Sequence, residues 1–333
     1  MNETNALQEK LGLSAPPRNS ITEQDLQRIL SEYVANVLPL RQRLFKMGMP
    51  EENINGCLFG QEQYLLISNF KMHELPFSLL RRLPIYLVRQ FVVQVELDSF
   101  WFWALTHDVV RTAIRFSPLN QWELLENFDT LMASHFASLN VSPRFQIPAL
   151  ERLNRTTYEI VSQPVRDLVG NTSTVLMYIC YPVLEGLARF ALSPLINDDG
   201  VANYEFTDGY EIFSPNNRGI SSLGKILRSL EINGTAKSSV NEFSDNLRDF
   251  KLEIEKVNLP KPSRYHDGWD SVYNLRNKAL HGSVGWQMRS GLITNLVCLI
   301  IWNLLDDSVL NAAMQNFPHR MPFPSFYYPP EKY

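Results

Sequence analysis

The chain has 333 residues, of which 45% are hydrophobic and 20% charged, enough for a sizeable core and more than one typical domain. With 31 basic against 35 acidic residues and a formal net charge of −4, it lacks the broad basic surface that coats nucleic acid. Any contact with RNA must therefore come from a local cluster. Cys57, Cys180 and Cys298 are too few and too scattered for a disulfide framework or a Cys-rich zinc site, and they suit a reducing cytosol.

Residues 1–19 are polar and show no signal-peptide pattern. Ser20-Ile21-Thr22-Glu23 opens the first helical pattern, in which Leu26, Ile29, Leu30, Tyr33, Val34 and Val37 recur at helical spacing. Pro39 is expected to interrupt this helix or end its first part. A turn-like stretch, Met49–Gly60, follows. Apolar segments then run from Gln61 to Phe70 and from Pro76 to Phe116. The Phe100–Trp103 run tempts a reading as an aromatic binding platform, but such runs more often form core. Residues Asn120–Ala137 and Pro148–Val169 also read as helical, and residues 1–150 are expected to form a helical N-terminal domain whose role the sequence does not assign.

The texture changes near Gly170-Asn171-Thr172-Ser173, which places a boundary between about 145 and 172. The long apolar segment Val175–Leu192 contains Pro182, and Cys180 reads there as a small buried hydrophobe. Val201–Phe206 and Tyr210–Phe213 are short β-prone runs flanking Thr207-Asp208-Gly209, and predict a small hairpin inserted between helices. Helical patterns resume at Ile220–Ile232, Val240–Val257, Asp267–Leu280 and Trp286–Leu305. Leu292–Leu305 is interrupted by Thr294, Asn295 and Asn303 and is shorter than the ~20 residues of a membrane span, so it reads as a buried helix. The expected architecture is all-α: a helical bundle over 151–316 with a small hairpin insert, preceded by the N-terminal domain and followed by a Pro/aromatic tail, 317–333. A cytoplasmic protein with no membrane partner is expected.

The most informative segment is Trp269–Gly282. Val272, Leu275 and Ala279 form one apolar stripe, while Asn277 and His281, four residues apart, share another helix face. The long side chain of Arg276, about 100° away on the helix wheel, reaches toward the same place. A histidine moves protons near neutrality, a guanidinium grips phosphate oxygens with a fork of donors, and an amide positions either. Lys261, Arg264, Arg276, Lys278 and Arg289 oppose only Asp267 and Asp270 across 261–289, the best anion-binding patch in an acidic chain. By chance, Arg-x4-His arises roughly 0.4 times in such a chain, and roughly 0.03 times with asparagine after the arginine. The alternative is that Arg276 and His281 merely solvate or cap a helix end.

The octapeptide Leu275–Gly282 resembles the Arg-x4-6-His signature of the HEPN superfamily, with its frequent asparagine after the arginine. The order of helices over about 170–310 is also similar, although only the octapeptide is specific. The resemblance implies an all-α bundle, a homodimer, and metal-independent cleavage of RNA; many such proteins are toxins or effectors of defence against phage. It implies Arg276 and His281 as catalytic and Asn277 as their support, with Glu185 and Lys278 as further supporting candidates. Glu185 and Arg189, at i and i+4, otherwise read as a structural ion pair. Ser283 stands where nucleotidyltransferase-paired HEPN toxins carry tyrosine, which disfavours that pairing. His73, His107, His135, His266 and His319 lack metal-ligand spacing, and no metal or cofactor is expected. Asp267 reads as a helix start rather than an orienter of His266. The alternatives are a non-catalytic HEPN module that binds RNA, a nucleotide or a regulatory protein partner, and a purely structural helical protein.

Overall fold

The computed structural model describes residues 22–49, 75–90, 97–116, 126–130, 172–216, 219–235, 240, 242–256, 259, 261–281 and 290–316. The apolar segment 61–70, the expected helix at 148–169, the boundary at 145–172, Cys57 and the tail 317–333 lie entirely or almost entirely outside these residues. What is described is all-α apart from one small hairpin. Its elements are α1 (Glu23–Lys46), α2 (Phe77–Gln90), α3 (Leu97–Phe116), α4 (Thr172–Leu192), β1 (Phe206–Thr207), β2 (Ile212–Phe213), α5 (Leu223–Asn233), α6 (Phe243–Lys256), α7 (Gly268–Leu280), α8 (Ser290–Leu304) and α9 (Asp307–Asn316). Residues 126–130 are also helical.

Thr22 starts α1 with a reciprocal cap: its side chain accepts from the Asp25 backbone N–H, and the Asp25 carboxylate accepts from Thr22. This helix runs through Pro39 to Lys46, so proline neither ends nor divides it, contrary to the sequence expectation. Helix α4 likewise contains Pro182. The hairpin falls where the β-prone runs predicted it, with Phe206 opposite Phe213 and Thr207 opposite Ile212. Asp208 makes its turn, its Oδ1 accepting from the backbone N–H groups of Tyr210 and Glu211.

Helix α8 lies at the centre, packed by α2, α3, α4 and α6. Its residues 292–303 are all buried, including the polar Thr294, Asn295 and Asn303. Buried polar groups without partners destabilise, and here Asn295 and Asn303 are bonded to specific neighbours that also fix register. The Trp103 indole donates to Asn295 Oδ1 (2.7 Å), and the Trp302 indole to Thr106 Oγ1 (2.8 Å). Asn246 donates to Asn303 Oδ1 (2.9 Å), while Asn303 donates to the carbonyls of Leu299 and Arg81. Arg81 closes the C-terminal end of α8 by donating to the carbonyls of Trp302 and Leu305, and pairs with Asp307 in the first turn of α9. Phe102 stacks on Trp302, and Phe102 and Trp103 are fully buried. This part of the aromatic run is therefore core, not a platform.

Among the described residues no single helix is long and apolar enough to cross a membrane.

Candidate functional site

Helix α7 carries the Arg276-Asn277-x-x-x-His281 motif, and its start is strongly anchored. Asp267 is its N-cap and accepts from the Trp269 backbone N–H (3.1 Å), as expected for a helix start. The same carboxylate takes a forked pair of bonds from Arg228 of α5, both 2.9 Å. Arg228 also reaches Asp270 (2.9 Å) and Asp208 of the hairpin turn (3.2 Å), and lies over the Tyr210 ring. Only 4% of its side chain is exposed, so this is a buried cation serving three carboxylates. Hydrogen bonds to Asp267 and Asp270 hold the guanidinium ionised against the opposing effect of burial. Next to it, Glu231 accepts from the Trp269 indole (2.7 Å) and pairs with Lys251 of α6 (2.7 Å). The two acids that oppose the basic residues in the sequence are thus committed to Arg228.

Val272, Leu275 and Ala279 are buried, which turns the opposite side of α7 outward. There Arg276, Asn277 and Lys278 are half-buried and His281 is exposed. Arg276 donates from Nη1 to Asn277 Oδ1 (3.2 Å), and its Nη2 stands 3.5 Å from Glu185 Oε2 on α4. Glu185 Oε1 accepts from Nε and Nη2 of Arg189, at 3.3 and 3.2 Å. Glu185 thus pairs with its helix neighbour Arg189 and also stands against the motif arginine. Arg189 in turn donates to the Ile220 carbonyl. Gly200, at φ +79°, permits that approach, because a Cβ there would meet Arg189 Nη1 and the Ile220 carbonyl oxygen at 2.8 Å.

Two arginines on one carboxylate leave a local excess of positive charge, with 32% of the Arg276 side chain exposed. This arrangement can bind an anion at Arg276. His281 ends the helix as its C-cap, its backbone N–H donating to the Asn277 carbonyl (3.0 Å). The fold therefore brings Arg276, Asn277 and Glu185 together. Among the described residues it gives the His281 side chain no hydrogen bond or ion pair with them.

Tyr181, one turn before Glu185 on α4, was not among the sequence candidates. It is 1% exposed, and its hydroxyl has no hydrogen-bond partner among the described residues. Burial pushes this phenol well above its usual range, Cys180 adds to the effect, and the Arg276 charge pulls the other way. Among the described residues no group of three or more His, Cys, Asp or Glu is placed to hold a metal ion. Comparisons with family models, curated proteins and solved structures give no match for this chain.

Proposed function

We propose that the chain is a metal-independent endoribonuclease of HEPN type, acting in the cytoplasm as a toxin or anti-phage defence effector. The observation that carries this reading is the half-exposed Arg276, held from behind by Glu185 and beside Asn277, on the last turns of a helix that ends in exposed His281. RNA carries its own nucleophile, the 2′-hydroxyl next to the scissile phosphate. Neutral His281 takes the 2′-hydroxyl proton, the 2′-oxygen attacks phosphorus, and Arg276 stabilises the phosphorane charge. The 5′-oxygen then leaves with a proton from His281 of a second copy, which is why a homodimer with its cleft at the interface belongs to this reading. Asn277 positions the phosphate or the imidazole, while Glu185 and Lys278 support the site. The products end in a 2′,3′-cyclic phosphate, or the 3′-phosphate that its hydrolysis gives, and a 5′-hydroxyl.

The test compares wild type with His281→Ala and Arg276→Ala on RNA in EDTA. Each substitution should reduce cleavage by roughly 10²–10⁴-fold, with the helical circular-dichroism spectrum unchanged and DNA spared. Equal cleavage by both folded variants, or strict dependence on added metal, removes the assignment. A non-catalytic module that binds RNA, a nucleotide or a regulatory protein is the second reading. It is favoured by one observation: the Arg276 guanidinium is already engaged by Glu185 and Asn277. Binding of RNA without cleavage by the wild type selects it.

A further inference from the structure

Tyr210 is a large aromatic side chain held in place at the surface. It sits in the hairpin turn with 56% of its area exposed, yet its backbone and its ring are both fixed. Its backbone N–H donates to Asp208 Oδ1 (3.0 Å), and the buried Arg228 guanidinium lies over one face of the ring, 4.8 Å from the centroid. The ring of His266, at the entry to α7, stands against it with centroids 4.5 Å apart and planes inclined by 36°. His266 is itself exposed, and its backbone N–H donates to Asp270 Oδ2 (2.7 Å). A lid over Arg228 accounts for one covered face of Tyr210. It does not require the neighbouring ring to be aromatic and exposed as well.

The charge left over around this pair is positive. Asp208, Asp267 and Asp270 are paired with Arg228, and Glu211 with Lys225 (2.6 Å). Lys261 and Arg264, exposed on the same loop as His266, have no carboxylate partner among the described residues, and Lys261 lies over the Tyr265 ring (4.6 Å). Exposed aromatic rings beside uncompensated cations fit one ligand chemistry, an unpaired base joined to a phosphate backbone. A duplex hides its base faces, so the ligand is single-stranded.

We propose that Tyr210 and His266 form a base-stacking subsite for single-stranded RNA, with Lys261 and Arg264 holding the adjoining backbone. The inference rests on the reading of RNA as the ligand, and adds to it the form of the RNA and a contact remote from the motif. Asp270, bonded to His266, shares a face of α7 with Asn277 and His281, because these positions follow it by nearly two and nearly three helical turns. The subsite thus stands at one end of the face whose other end carries the motif. Asp270 and Asn277 are about 10 Å apart along the helix axis, a span that a few nucleotides cross. A base captured at Tyr210 and His266 therefore lays the strand along α7 toward Arg276. Because the Tyr210 ring is already held, stacking on it immobilises little that is free.

The experiment uses the full chain and two probes: a short 2′-O-methyl oligouridylate, which lacks the nucleophile, and an abasic strand of the same length and charge. Wild type should bind the base-bearing strand about tenfold more tightly than the abasic one. Tyr210→Ala and His266→Ala should lose that preference, whereas Tyr210→Phe, which keeps the ring, should retain it. Thermal melts identify a variant that fails to fold, and if Tyr210→Ala is one, His266→Ala decides. Lys261→Gln combined with Arg264→Gln should weaken both probes alike and flatten the salt dependence; an unchanged salt dependence overturns the backbone contact. Equal affinity of wild type for the two probes, no binding of either, or a base preference that survives in the folded alanine variants overturns the subsite. Arg276→Ala separates the subsite from the parent reading, since it should weaken both probes and leave the base preference intact. If it weakens neither, while the preference still depends on Tyr210 and His266, the Arg276 reading fails and the subsite stands.

Discussion

Burial and charge compete on single side chains in this fold, and His107 of α3 is the case with a measurable consequence. Its Nε2 lies 2.8 Å from Asp129 Oδ1, an oxygen also 3.4 Å from Arg111 Nε. Burial lowers the imidazole pKa from its usual value, and the Asp129 charge opposes this without reversing it. The folded pKa is therefore below the unfolded one, about 6.5. The unfolded chain then takes up a proton that the folded chain resists, so stability is full above about pH 6.5 and is lost as pH falls through the folded value. The difference in melting temperature between wild type and His107→Gln should change as pH is lowered from about 7 to about 5, downward past the unfolded value. A difference that stays constant over that range contradicts the assignment. At this same scale the candidate site was only partly legible. Arg276, Asn277 and His281 announced themselves by spacing, and Glu185 by being a carboxylate in an apolar helix. Tyr181 did not, since a tyrosine in an apolar run reads as core, and only packing reveals that its hydroxyl is bare.

Helix α7 shows how an element is placed by groups distant in sequence. Its first residue, Gly268, lies against α6 so closely that a Cβ would stand 2.9 Å from the Lys251 carbonyl oxygen and 3.2 Å from Glu255 Cγ. Alanine is the better helix former by up to about 1 kcal/mol, whereas a clash with fixed backbone typically costs about 1–3 kcal/mol. The clash wins. Gly268→Ala should therefore lower the urea midpoint of the full chain with an unchanged m-value, and a raised midpoint would show that α6 yields freely. Periodicity predicted α7 to within one residue, and the Asp267 cap and the Asp-Gly hairpin turn were legible because their chemistry is local. The Arg228 cluster was not legible. Its carboxylate partners stand 20, 39 and 42 residues along the chain, and nothing in the pattern of α5 pairs them. Pro39 misled for the converse reason, since a local helix-breaking rule was overridden in a helix that continues to Lys46.

At the scale of the molecule, the described N-terminal helices and the motif-bearing bundle share one hydrophobic core. That core includes Leu80, Leu83 and Leu87 of α2, Phe102, Trp103 and Val109 of α3, Leu184 of α4 and Leu296, Val297 and Trp302 of α8. The joins are specific as well as apolar. Trp103 bonds to Asn295, Trp302 to Thr106, and Arg81 to the carbonyl end of α8. Removing α2 and α3 would expose a face of α8 and strand buried Asn295 and the Trp302 indole without their partners. Each large apolar side chain buried contributes about 1.5–3 kcal/mol, against a typical total stability of about 5–15 kcal/mol for a domain. Losing even five or six such contacts would consume that margin. A fragment of residues 172–316, although it contains every motif residue, is therefore expected not to fold cooperatively by itself. It should bind a hydrophobic dye, lack the near-ultraviolet signal of packed Trp269 and Trp302, and melt without a sharp transition, while the full chain shows the reverse. A soluble fragment with a sharp melt and a fixed near-ultraviolet spectrum would establish the bundle as an independent unit. In the expected outcome, helices α2 and α3 act on the motif through packing: they hold α8, against which α4 lies, and α4 presents Glu185 to Arg276.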